Sequence, residues 1–154
     1  MSLSLLHIGS EVALGYDSAT GEKGILLKVY VAEAVLKGEL LSVSTATDSH
    51  YIKQTNEFDV TCIAQETAGE AKNIWAWTTG SICQVRYKDD TASVRGNVCI
   101  ADGVDGRASD LDISTIQEDP PIATHFKEIG HVKETKAVPS EGNSNLVLIH
   151  FHTL

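Results

Sequence analysis

No stretch of this chain approaches the roughly 20 consecutive apolar residues that a helix needs to cross a bilayer, so no membrane partner is expected. Positive charge is scarce too. Twelve Lys and Arg stand against 21 Asp and Glu, a formal net charge of −9. A phosphate backbone attracts clustered Lys and Arg and repels an acidic face, so nucleic acid is not an expected partner. The opening Met1-Ser2-Leu3-Ser4-Leu5-Leu6-His7 has no cationic stretch and only a short apolar patch, and is not read as a secretory signal. Familiar catalytic patterns are missing. Ser81 follows Gly80 outside any Gly-x-Ser-x-Gly elbow, and neither a Walker-type loop nor a Gly-x-Gly-x-x-Gly follows a strand. The three cysteines, Cys62, Cys83 and Cys99, are an odd number without Cys-x-x-Cys spacing for zinc or redox chemistry. Each lies in an apolar, strand-like run. They read as reduced, buried thiols acting as small hydrophobes in a chain folded in a reducing cytoplasm.

What is present reads as β structure. A chain of 154 residues with 42% apolar and 21% charged residues is one globular domain by length and composition. Leu27, Val29 and Val31 share one face of a strand that begins near Leu26. Leu40 to Ser44, Phe58 to Ala64, Ile82 to Tyr87, Asn97 to Ala101 and Leu146 to His152 read as further strands, and Trp75 and Trp77 share a face. Thr78-Thr79-Gly80-Ser81 predicts a hairpin into Ile82. Helical signal is weak. Leu111, Ile113 and Ile116 allow a turn or two before Pro120-Pro121, and Thr67 to Lys72 a single turn. Short strands with Gly turns between them predict an all-β domain with at most one or two short helices, a compact sandwich, barrel-like or β-tulip-like fold.

Residues 1–24, with Gly9, Gly15, Gly21 and Gly24 behind Leu3, Leu5, Leu6 and Ile8, read as an extended N-terminal arm and loop rather than a core element. Residues 25–154 form the single β-rich domain. The arm's apolar side chains need a partner in this domain, a neighbouring copy or another protein. Two segments have a similar form: Ile63 to Glu70 leading into Ile74 to Trp77, and Ile129 to Thr135 leading through Glu141-Gly142-Asn143 into Leu146 to Phe151. Internal duplication and simple recurrence of Gly-polar turns both account for this.

Three groups of residues invite chemistry. His150 and His152, two apart on a strand, leave the same face. Two ligands do not make a zinc site, and sequence does not place His125 or His131 beside them, so they are assigned to an outer face or an interface between copies and no metal is expected. Asp102, Asp105, Asp110 and Asp112 lack the ligand spacing of a calcium loop and read as a solvated loop. Trp75 and Trp77 fit core or subunit-interface packing, with a sugar-stacking platform as the alternative.

The order of several short motifs carries a resemblance. They are Val31 to Leu40, Ile63 to Trp77, Thr79-Gly80-Ser81-Ile82-Cys83-Gln84-Val85, Arg95-Gly96-Asn97-Val98, Gly106-Arg107-Ala108, His125 to His131, and Leu148-Ile149-His150-Phe151. Across residues 25–152 the chain resembles the small capsid decoration, or cement, proteins of tailed bacteriophages. The resemblance implies a β-rich homotrimer on the outside of the virion, with the major capsid protein as partner and host cytoplasm as the place of assembly. It implies no catalytic residue and no cofactor; copies clamp neighbouring capsomers once the shell has expanded. A net charge of −9 keeps free copies apart. On this view Leu3, Leu5, Leu6 and Ile8 dock on the capsid by adding a strand to an exposed sheet edge. Trp75, Trp77, His150 and His152 belong to the core or to a subunit interface. The alternatives are a virion-surface module that binds carbohydrate or another host ligand, another head or tail component, and a small hydrolase or metal enzyme.

Overall fold

The computed structural model describes residues 3–55, 59–102, 104–111 and 127–153. These residues form twelve strands and no helix: β1 (Leu3–His7), β2 (Val12–Asp17), β3 (Glu22–Val31), β4 (Leu40–Val43), β5 (His50–Lys53), β6 (Cys62–Ala64), β7 (Lys72–Trp77), β8 (Ile82–Arg86), β9 (Val98–Ala101), β10 (Ala108–Leu111), β11 (Glu128–Val132) and β12 (Leu146–Phe151). No helix is long and apolar enough to cross a membrane among the described residues.

Pairing joins the twelve strands into one continuous sheet, in which ten strands group into two layers of five and β1 and β2 are added beside β3. β3 pairs with β5, β5 with β4, β4 with β6, β6 with β7, and β7 returns to β3, which closes a ring of five strands. The second layer runs β8-β12-β11-β9-β10 and joins the ring where Lys23 of β3 meets Ile82 of β8. Every pairing between these strands is antiparallel except β3–β5. β3 is the common member because it is long. Residues 22–27 pair with β2, residues 26–31 with β7, and Tyr30 and Val31 with β5.

Side-chain alternation then sorts the apolar residues. Val29, Val31, Leu41, Cys62, Ala64, Ile74 and Ala76 pack together with Val35 in one cluster, filling the inside of the ring. Their chain neighbours Leu40, Ile63, Trp75 and Trp77, with Leu26, point the other way. They meet Cys83, Val85, Cys99, Val147, Ile149 and Phe151 of the second layer. The expected all-β class holds for the described residues, and the closed ring packs one of its walls against the second layer. Each aliphatic side chain enclosed in this way contributes about 1.5–3 kcal/mol.

Several local expectations are corrected. Ser81 N–H bonds the Thr78 carbonyl at 3.2 Å, so the turn at 78–81 exists. It does not make a β7–β8 hairpin: β7 pairs with β3 and β6, β8 with β12 and β3. Two bonds divert the chain between layers, Gly80 N–H to the Phe151 carbonyl at 2.7 Å and Phe151 N–H to the Ser81 carbonyl at 2.8 Å. Thr67 to Lys72 is not a helical turn, because Ala68 bridges Val35 and Lys72 already begins β7. The helix allowed at Leu111, Ile113 and Ile116 falls outside the described residues apart from Leu111, which ends β10. The N-terminal segment is extended, but it also contributes to the core. β1 and β2 form a hairpin bonded to β3, and Ala13 is fully buried. Gly15 lies so close beneath β3 and β7 that a Cβ there would stand 2.5 Å from Leu26 Cδ1 and 3.1 Å from the Trp77 ring.

Asp110 is likewise not part of a solvated loop. It lies on β10, where Oδ1 accepts a short hydrogen bond from the buried Tyr87 hydroxyl. Its Oδ2 accepts Val94 N–H at 2.7 Å and Asn97 Nδ2 at 3.0 Å. Burial, with Cys99 and Asp110 nearby, holds the Tyr87 phenol far above its ordinary range.

The three cysteines are free and buried. Burial pushes the Cys62 thiol up to about 12, and raises Cys83 and Cys99 as well. Because the thiolate is the reactive form, the native protein should resist a thiol reagent at about pH 8. All three should react once it is unfolded. Rapid labelling of any of them in the native state would contradict their enclosure.

Candidate functional site

Two features of the surface stand out, on opposite kinds of chemistry. The first is the outer face of the N-terminal hairpin. Strand alternation divides the four apolar residues expected to act together. Leu3 and Leu5 are half-buried and pack against the core, whereas Leu6 and Ile8 are each 65% exposed. Leu6 stands directly across from Leu14, and Leu14 across from Ile25. The result is an apolar row over three strands, with Leu14 43% and Ile25 45% exposed and Tyr16, at 54%, beside it. β1 is also an edge strand, paired with β2 alone among the described strands. Its sequence Leu-Ser-Leu-Leu-His contains none of the Lys, Pro or inward charge that commonly blocks pairing at an edge. An open edge beside an apolar face can accept another strand or sheet.

The second feature joins the start of β11 to the end of β12. His152 Nε2 lies 3.2 Å from His131 Nδ1 and 3.3 Å from Glu128 Oε1. His131 Nε2 lies 3.8 Å from the same carboxylate oxygen. Glu128 and His131 are three apart, which on a regular strand would place them on opposite faces. A β-bulge reverses this. Glu128 pairs with Ile100 and Gly130 with Cys99, so two steps along β11 match one along β9. His152 is held beside the bulge by its own N–H, which bonds the Ile129 carbonyl at 3.0 Å. The paired sequence signal at His150 and His152 thus contributes one member. His150 stands opposite His131 in register and is exposed, outside the cluster. His125 lies outside the described residues. Glu128 went unnoticed in the sequence because its side depends on the bulge.

Trp75 and Trp77 lie within the core. Trp77 is fully enclosed and Trp75 is 8% exposed, with His7 edge-on to its ring at 5.5 Å and Lys28 Nζ 4.7 Å from its centroid. Neither indole offers an open ring face of the kind on which a sugar stacks.

No family model matches the sequence, and no curated protein matches it. Among solved structures, the fold is similar to that of the head fiber gp8.5 N base of bacteriophage phi29, with a TM-score of 0.52 and 15% identity. The match covers 84% of this chain and 96% of that one.

Proposed function

We propose that the protein is a structural component of a tailed-phage head, held on its outer surface by the β1–β2 hairpin and acting there as a trimer that braces the capsid lattice. The observation that carries this reading is the fold shared with a phage head fiber base over 96% of that chain. The resemblance to decoration proteins supports the same reading from the sequence side. The hairpin supports the docking part: an apolar row and an unblocked strand edge occupy the same corner of the molecule. The occupant is the major capsid protein, whose exposed sheet edge would take β1 as an added strand. Three copies joined in one particle-bound trimer turn three modest contacts into one durable attachment through effective concentration. No catalytic group enters this account.

The experiment is co-sedimentation of the purified chain with expanded and unexpanded heads, together with its mass in solution. Leu6→Glu combined with Leu14→Glu places two carboxylates on the exposed row without entering the core. Occupancy on expanded heads should fall at least about tenfold, as expected for losing anchors worth roughly 2 kcal/mol. Full occupancy by the double variant would remove the hairpin from the docking role. A variant that becomes monomeric while a wild-type trimer persists would move the hairpin to the subunit interface instead.

A further inference from the structure

We propose that Glu128, His131 and His152 form a binding site for a divalent transition-metal ion of the zinc class. The inference is independent of head attachment. Two imidazoles and one carboxylate are a donor set that zinc favours, and one that also suits cobalt and nickel. One candidate ligand atom from each residue falls within 4.8 Å of the other two. Spacing is the stronger argument. In a tetrahedron with zinc–nitrogen and zinc–oxygen bonds of about 2.0–2.2 Å, neighbouring ligand atoms lie about 3.3–3.5 Å apart. The His131–His152 and His152–Glu128 separations are 3.2 and 3.3 Å. His131 meets His152 through Nδ1 and Glu128 through Nε2, the latter at 3.8 Å; since one imidazole gives an ion a single nitrogen, this exposed ring has to turn for all three ligand atoms to close on it.

The backbone prepares the arrangement. The bulge at 128–130 turns Glu128 to the face of His131, and the bond from His152 N–H to the Ile129 carbonyl fixes the end of β12 beside it. Accessibility is graded. The Glu128 side chain is 14% exposed, that of His152 33% and that of His131 54%. The carboxylate is the most enclosed of the three groups and the imidazoles the more exposed, so an ion would enter from their side and could take water as a fourth ligand. A bound ion would fasten the end of β12 to the start of β11. Because the unfolded chain lacks this geometry, the ion would stabilise the folded state.

The test is calorimetric titration of zinc chloride into the full, tag-free chain after chelator treatment, with cobalt chloride as a spectroscopic probe. One ion per chain should bind with a dissociation constant of about 1 μM or tighter. Cobalt should show the visible bands of a tetrahedral site. The melting temperature should rise with zinc and return on chelation. His152→Ala and Glu128→Gln should each weaken binding at least about tenfold. His150→Ala, on the same face but outside the cluster, should leave it unchanged. The variants' folding is checked by their β-sheet circular dichroism, and His131→Ala, at the most exposed ligand, provides the variant least able to disturb the fold. Absence of saturable binding at about 1 mM zinc would overturn the proposal. So would binding that survives His131→Ala and His152→Ala together, since the ion would then lie elsewhere.

Discussion

Replacing Lys37 with methionine is expected to lower the unfolding free energy by about 3 kcal/mol, seen as a lower urea midpoint with an unchanged slope. The reason lies in its partner. Glu22 is completely buried at the start of β3, and its carboxylate is satisfied from three directions. Lys37 Nζ and the Thr20 hydroxyl donate to Oε1, each at 2.9 Å, and Gln84 N–H donates to Oε2 at 3.1 Å. Lys37 is the only cation among these donors, and 23% of its side chain is exposed. Removing it leaves a carboxylate in the interior without its counter-charge. Breaking such a pair from one side typically costs about 3–5 kcal/mol, and the partial exposure of Lys37 argues for the lower end.

The turn that carries this lysine is tied to three elements, to β3 through the ion pair and to β8 and β6 through its backbone. The Lys37 carbonyl accepts Arg86 Nε–H at 2.9 Å, and the next residue, Gly38, donates its N–H to the Ala64 carbonyl at 2.8 Å and accepts Arg86 N–H at 2.7 Å. The turn therefore joins the ring to the second layer. The discriminating measurement is the double variant Glu22→Gln with Lys37→Met. A neutral amide removes the stranded charge while keeping an acceptor for Gln84, so most of the lost stability should return. If the double variant is as unstable as the sum of the singles, the stranded charge is not the cause.

How much of this was legible in the sequence depends on parity and on distance along the chain. β3, β4, β7, β8, β9 and β12 were visible because apolar residues recur at every second position or fill the strand outright. β5 was not, since His50, Tyr51, Ile52 and Lys53 are all half-buried and carry no alternation. β10 was hidden by its Ser109 and by Asp110, whose carboxylate is answered by the Tyr87 hydroxyl and Val94 N–H. The hairpin expected at 78–81 failed for a related reason. A turn signal fixes the local bend, whereas the partner of each flanking strand is settled by contacts far away in sequence. Closure of the ring rests on β3–β5, a parallel pairing between residues about 20 apart, which no local pattern announces. The all-β class survives these errors because period two was correct nearly everywhere. The Glu128–His131–His152 cluster was out of reach because it needs both a bulge and the register of β11 on β12.

That bulge is also a place where a single methyl group should do heavy damage. Gly130→Ala is expected to destabilise the fold by about 3 kcal/mol or more, against little change for Gly9→Ala, where a Cβ meets nothing within 4 Å. Gly130 has a φ of +154°, a conformation that L side chains rarely adopt and that costs about 1–3 kcal/mol when forced on one. Space adds to the cost. A Cβ at this position would lie 2.2 Å from the His150 carbonyl oxygen and 3.0 Å from its carbon. These are backbone atoms of the paired strand, so relief requires β12 to move away from β11 instead of a rotamer change. The damage should therefore be concentrated in the second layer. Amide exchange should accelerate at Val132 and Ile149, which face each other across β11–β12, before Val29 and Ile74 of the ring are affected. The variant should also lose the juxtaposition of Glu128, His131 and His152, because the same residue sets the bulge and the spacing of the strands that carry them. A Gly130→Ala chain as stable as the wild type, with unaltered exchange at Val132, would mean that the close approach of β11 to β12 at this point does not hold in solution.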